Sequence, residues 1–279
     1  MHPARDCLFS KSMIPSNRNS GFAVPVYTII LVIVLTATGV GDSPRPLVNP
    51  DGAIGSMNVF VHGQYLSISS KRGIATKDHQ QFGLDLNLPV SQRFTVAAGY
   101  SLEPNDTLFH QGKLGITIYS KKLGSGITSV NPDGPTGAPV LSAAVSTRIQ
   151  DGHFDDRSFC ISARLLLPTT TYLTVGAGTN YYDTDDPLNI DEFFGLVAWF
   201  MKRYDENQLY INPDGFPGYP VFRLTGGGNS EGIFGQLDIL MPMSPRYSLS
   251  IWMRGEKITA REIQRLGLGA SVSFYPGIN

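Results

Sequence analysis

A five-residue motif returns three times along this chain. VNPDG at Val48–Gly52 recurs as VNPDG at Val130–Gly134 and as INPDG at Ile211–Gly215, and each copy has another glycine three residues on, at Gly55, Gly137 and Gly218. A second marker lies inside each unit: LDLNLPVSQRFTV from Leu84, ARLLLPTTTYLTV from Ala163 and LDILMPMSPRYSL from Leu237. Two interleaved markers keeping order and spacing over three copies define an internal repeat of about eighty residues. The repeats run roughly 48–129, 130–210 and 211–275, and any fold for this chain has to accommodate a unit used three times.

Each unit contains four segments with a period of two, separated by polar turns, which is the pattern of half-buried strands. In the first unit these are Asn58 to Ile68, Gln81 to Leu88, Arg93 to Ser101 and Lys113 to Ser120. The second gives Val140 to Ile149, Ser158 to Leu167, Tyr172 to Tyr181 and Phe193 to Lys202. The third gives Val221 to Gly226, Ile233 to Met241, Tyr247 to Arg254 and Leu266 to Phe274. The spacing therefore predicts twelve strands. Thirty glycines and twelve tyrosines among Val, Leu, Ser and Thr suit such a sheet. The connections before the odd-numbered strands carry the NPDG or proline markers, where proline fixes φ and Asp-Gly tolerates positive φ, so that strand pairs turn back there. The other six are polar and variable, as in SSKRGIATKDHQ and YDTDDPLNIDE. One end is standardised and the other diversified.

Ahead of the repeats, Gly21 to Val40 is uncharged and reads GFAVPVYTIILVIVLTATGV, after a segment holding Arg5, Lys11 and Arg18 and before small residues. A positive flank, an apolar core and a small-residue exit form the layout of a secretory signal, with Met13 a second possible start. The expected division is a leader over 1–41 and one β-barrel domain over 42–279; an uncleaved anchor is the competing reading, since the stretch nearly spans a bilayer. Later segments are too interrupted to cross as helices, so further membrane embedding requires strands.

Alternation is clearest in Phe82, Leu84, Leu86 and Leu88 against Gly83, Asp85 and Asn87, and in Leu266, Leu268, Ala270, Val272 and Phe274 against Gly267, Gly269, Ser271 and Ser273. An export signal, strands of about ten residues, an even strand count, aromatic residues near strand ends and two kinds of turn accompany it. On these features the chain resembles bacterial outer-membrane β-barrel proteins over about Val48 to Tyr275. It departs from them after Phe274 and Tyr275, ending in Pro-Gly-Ile-Asn instead of on an aromatic residue. The resemblance implies an all-β fold, a twelve-stranded antiparallel transmembrane β-barrel built from three repeats of four strands, in contact with outer-membrane lipid. One strand, FFGLVAWFMK at Phe193–Lys202, is apolar on both faces; it either meets lipid on one side and a plug or neighbour on the other, or belongs to a buried strand of a soluble domain.

The chemistry sought by motif is missing. There is no GxSxG elbow, HExxH helix, CxxC pair or P-loop, and no cofactor is expected. His62, His79, His110 and His153 are the histidines a hydrolase would use; read structurally, His62 is a strand residue and the others are loop residues. A net charge of −1 without a basic run argues against nucleic acid as a partner. Cys7 and Cys160 support no disulfide framework once the leader is set aside. Asp155 and Asp156, then Asp183, Asp185 and Asp186, cluster in two variable segments as weak oxygen ligands for a metal such as calcium, though without EF-hand spacing.

Superposing the units on their proline places Asp85, Arg164 and Asp238 at one position, opposite the leucine stripe and hence on the lumen side of a barrel. Arg148, Arg223 and Arg254 are further inward charges. Twelve strands lie between eight, whose interior fills, and sixteen, which leave a channel. Charges in so small a lumen either select small polar or ionic solutes or pair with one another and close it. The expected function is a narrow outer-membrane pore. The alternatives are a non-conducting envelope scaffold or adhesion barrel, a secreted threefold β-repeat protein that binds glycans, and an envelope hydrolase.

Overall fold

The computed structural model describes residues 48–70, 77–104, 108–122, 130–150, 153–183, 191–203, 212–259 and 263–276. The leader over 1–41, Asp185 and Asp186 lie outside them. Among the described residues twelve strands form the main sheet, besides two-residue ladders inside the first two NPDG segments: β1 (Asn58–Ser70), β2 (Lys77–Ser91), β3 (Phe94–Pro104), β4 (Leu108–Tyr119), β5 (Val140–Gln150), β6 (His153–Pro168), β7 (Leu173–Asp183), β8 (Glu192–Phe200), β9 (Val221–Gly228), β10 (Gly232–Ser244), β11 (Tyr247–Ile258) and β12 (Ile263–Phe274). Each pairs antiparallel with its sequence neighbours, and β12 returns to β1 through partners such as Phe274 and Val59, so the sheet closes into a barrel.

All twelve segments anticipated from periodicity are strands, but most run further toward the variable end. Lys77–Gln80 extends β2, Glu103 and Pro104 extend β3, and His153–Arg157 extends β6. A closed sheet satisfies every backbone donor and acceptor laterally, so pairing continues past the point where apolar alternation stops. His79, His110 and His153, read from sequence as loop residues, therefore belong to β2, β4 and β6. Glu192, read with the acidic loop, is the first residue of β8.

The apolar face points outward. Phe82, Leu84, Leu114, Leu165, Leu224, Leu266 and Val272 are all exposed, whereas Asp85, Lys113, Arg164 and Asp238 point into the barrel. In water this exterior would be an aggregation surface; in a bilayer it is the surface lipid tails require. Exposed aromatic residues border it at both ends: Phe94, Tyr172, Trp199 and Tyr247 near the standardised end, and Tyr65, Phe82, Tyr181 and Phe193 toward the variable end. Trp199 stacks on Phe222 and Tyr247 on Phe274 in the first of these belts. The β8 strand resolves its double apolarity by orientation. Phe193, Val197 and Trp199 face out, while Leu196, Ala198 and Phe200 are buried inside, Leu196 against Tyr119, Val140 and Leu166, and Phe200 against Val221.

Candidate functional site

The interior is shaped first by the three NPDG segments, which do more than turn. Asn49, Asn131 and Asn212 are fully buried, and their side-chain amides donate to the carbonyls of Ser91, Thr170 and Ser244. Their Oδ1 atoms accept from Thr95, Thr174 and Ser248 at 3.3, 3.0 and 2.9 Å, and from the backbone N–H groups of Asp51, Asp133 and Asp214. The later glycine of each motif, Gly55, Gly137 and Gly218, donates to the carbonyl of Pro89, Pro168 and Pro242. Each NPDG segment is thus pinned to the proline turn of its own unit, which links the two sequence markers physically. The glycines following Asp51, Asp133 and Asp214 have φ of 125°, 132° and 129°, a conformation that side chains beyond glycine rarely adopt.

The three aspartates end up inside the mouth of the barrel. Tyr119 Oη donates to Asp51, and Tyr275 Oη donates to Asp214. The corresponding place in the second unit is held by Phe200: its backbone N–H donates to Tyr172 as that of Tyr119 donates to Arg93 and that of Tyr275 to Arg246. Among the described residues no tyrosine hydroxyl donates to Asp133. Burial pushes the Asp51 and Asp214 carboxyls above the ordinary carboxylate range, against the hydrogen bonds from Tyr119 and Tyr275 and the nearby charges of Arg164 and Arg223. These loops narrow the standardised mouth, a role that the turn chemistry of Asp-Gly alone did not reveal.

Six inward charges were anticipated, and the structure divides them into two kinds. Arg148 forks onto Glu103 Oε2 with Nε at 3.1 Å and Nη2 at 2.8 Å, its guanidinium 3.7 Å from the Phe109 ring centroid, while His79 Nδ1 lies 2.7 Å from Glu103 Oε1. Arg254 is ion-paired with Glu192, lies 3.6 Å from Glu256 and sits over Phe234; Arg265 reaches Glu256 at 3.5 Å. These are closed networks near the variable end. Asp85 lies 3.8 Å from His62 and 3.7 Å from Lys113. Asp238 is 8% exposed and accepts from Gln236 Nε2 at 2.9 Å. Among the described residues Arg164 and Arg223 have no comparable partner. Sequence reasoning missed Glu103, Lys113, Glu192 and Glu256; Lys113 opens an anticipated strand at an inward parity, and the other three stand at inward parities that extending their strands would have exposed.

The lumen is not evenly filled. Gly83 and Gly99 make room for large neighbours on the adjoining strands, since a Cβ at Gly83 would lie 2.4 Å from the His62 ring and one at Gly99 only 1.8 Å from Asp85 Oδ1. Gly178 accommodates the Phe194 ring in the same manner, Gly227 lets the backbone of Phe193 and Phe194 approach closely, and Gly269 accommodates Trp252. Phe194, Phe234 and Trp252 thereby occupy the β8–β11 side. The opposite wall is built from small inward residues, among them Ala97, Gly115, Ser142, Ala144 and Ser162. Against it lies a cavity of about 470 Å³ that Asp51, His62, Asp85, Lys113, Arg164 and Asn180 also line. A second cavity, of about 210 Å³, lies toward the variable end among Gln64, Gln81, Gln111, Cys160 and Tyr182. There Gln81 Nε2 donates to Ser101 Oγ and Gln111 Oε1, both at 2.6 Å.

The remaining candidates stand as follows. The Tyr100 hydroxyl and His110 Nδ1 are 2.6 Å apart on the outer surface. Asp183 is exposed at the end of β7, and the side chains of Asp155, Asp156 and His153 lie outside the described residues. Among the described residues no group of three or more His, Cys, Asp or Glu side chains is placed to hold a metal ion.

A closed twelve-stranded antiparallel barrel with an apolar, aromatic-bordered exterior and a polar interior is a transmembrane β-barrel of the bacterial outer-membrane type. Solved structures similar to it include the KdgM porin in complex with disordered oligogalacturonate, at 8% identity over 77% of this chain and 99% of that one, with a TM-score of 0.47. The NanC porin is 10% identical over 77% of this chain and 98% of its own, also with a TM-score of 0.47. Outer membrane phospholipase A from Escherichia coli is 13% identical over 86% of this chain and 96% of that one, with a TM-score of 0.44. No family model and no curated protein sequence matches the chain.

Proposed function

We propose that this protein is an outer-membrane channel for small polar or ionic solutes, with a passage running off-axis along the β3–β6 side of the lumen. The observation that carries the reading is the cavity of about 470 Å³ walled by alanine, glycine and serine on one side and bordered by Asp85, Lys113, His62 and Arg164. A roomy cavity with several polar partners holds water, and water-filled polar space inside a membrane barrel is what conduction needs. The standardised end, where β1 begins and β12 finishes, faces the periplasm in this reading, and its three pinned loops limit the aperture. The barrel is built as three four-strand units, a division supported by the three matching sets of Asn, Asp, Gly and Pro contacts.

The test is planar-bilayer recording on the refolded chain, after its gel mobility has been shown to change with boiling as a folded barrel's does. Discrete conductance steps are expected. A folded, heat-modifiable barrel that never conducts would overturn the channel and return the protein to an envelope scaffold.

A further inference from the structure

Arginine inside a narrow lumen usually has its donors occupied, because an unpaired guanidinium in a low-dielectric site is expensive. Arg148 and Arg254 follow that rule with Glu103, Glu192 and Glu256. Arg164 and Arg223 do not. Among the described residues neither makes a hydrogen bond, and neither has a carboxylate within the 4.0 Å of an ion pair. Both point inward from β6 and β9, close enough for their charges to act on one another, and Arg164 lines the larger cavity.

What keeps these charges in place is visible around them. The negative charges of Asp51 and Asp133 act on Arg164, and the positive charge of Arg223 acts on Asp214. Asp238, the cross-strand partner of Arg223, accepts from Gln236. These carboxylates supply a favourable field from beyond contact distance while Tyr119 and Tyr275 take an oxygen of Asp51 and of Asp214. Lys113 adds a third cation whose side chain is 46% exposed to the lumen, with Asp85 3.7 Å away.

We propose that Arg164 and Arg223 form a lumenal binding site for a small oxyanion, a carboxylate or a phosphate, with Lys113 on its approach. The planar fork of arginine matches two oxygens of such a group, and hydroxyl and amide side chains nearby, Ser142, Ser162 and Asn180, complete the polar lining. The site rests on the channel reading, for which it names the solute class.

The experiment uses the refolded full chain in detergent and inorganic phosphate as the probe. Calorimetric titration should give saturable phosphate binding. Arg164→Gln and Arg223→Gln should each weaken it about tenfold, the lower end of what one charge-assisted hydrogen bond contributes. Lys257→Gln, which removes an exposed cation from the outer face, should leave it unchanged. Arg164→Lys keeps the charge and loses the fork, so it should bind between wild type and the glutamine variant; it also serves if Arg164→Gln does not fold. No phosphate binding by the wild type, or wild-type affinity in both Arg223→Gln and a folded Arg164 variant, overturns the site. Reversal potentials in potassium chloride separate this from the channel itself. Conductance without phosphate binding removes the site and keeps the channel, whereas binding by a barrel that never conducts keeps the site and removes the channel.

Discussion

Tyr275 shows how much one hydroxyl does at the standardised mouth. It donates to Asp214, whose carboxyl burial has pushed above its ordinary value of 3.8. Removing the donor with Tyr275→Phe leaves an enclosed carboxylate short of a partner, which should cost about 1–3 kcal/mol near neutral pH. The pH dependence has a defined sign. A carboxyl with a raised folded pKa holds its proton more tightly in the folded than in the unfolded state, so its unfavourable contribution fades as pH falls through the folded value toward 3.8. Chemical denaturation of the refolded barrel should therefore show the Tyr275→Phe deficit shrinking on acidification as the carboxyl protonates. A deficit independent of pH would mean that the tyrosine ring, packed at 1% exposure, matters and its hydroxyl does not. Phe200 stands where this hydroxyl is missing in the second unit, a difference invisible until the units are aligned on backbone contacts. The inward charges Asp85, Arg164 and Asp238 were legible because they share a spacing to proline; which arginines pair was not legible, since Glu103 and Glu192 reach them across strands far away in sequence.

At the level of elements, the sequence disclosed strands and turns well because a half-buried strand has to alternate. It disclosed the NPDG loops poorly, because Asp-Gly chemistry specifies a turn and is silent about which way the turn folds. Direction comes from packing on neighbouring side chains: Val140, at 2.8 Å, crowds the place where a Cβ on Gly134 would stand, Pro168 of the other marker lies 3.8 Å away, and Gly134 has a φ of 132°. Gly134→Ala combines that clash with a disfavoured backbone, worth about 1–3 kcal/mol of strain. The expected outcome is a barrel that still folds but loses its gel shift at a lower temperature, with the same direction for Gly215→Ala, whose Cβ would meet Val221 at 3.0 Å. An unchanged transition in both would show that the loops are not held against Val140 and Val221. Gly137 is the internal control for crowding, since a Cβ there meets nothing within 4 Å and only its φ of 74° opposes alanine.

For the whole molecule, closure is what turns twelve ordinary strands into a membrane protein, and it also decides how far twelve strands can open. A ring of this size has room for a filled interior or a narrow passage, and here a filled side and a cavity coexist because aromatic side chains are gathered on one side. Phe194, Phe234 and Trp252 crowd the β8–β11 side while Ala97, Ser142, Ala144 and Ser162 leave the other clear. Repetition in sequence placed three charges at equivalent positions; the differences between units, small residues in one against phenylalanine and tryptophan elsewhere, move the open space off the axis. Blocking should therefore be asymmetric. Ala144→Trp places an indole into the cavity from the clear wall and should abolish conductance in single-barrel recordings while preserving the boiling-dependent gel shift. Thr225→Trp, ten residues beyond the NPDG glycine of its own unit as Ala144 is of the second, enters the side already filled. It should disturb folding more than conduction, because overpacking a filled interior costs about 1–3 kcal/mol. If Ala144→Trp conducts like the wild type, the passage does not run along β3–β6, and the small residues of that wall are there for packing alone.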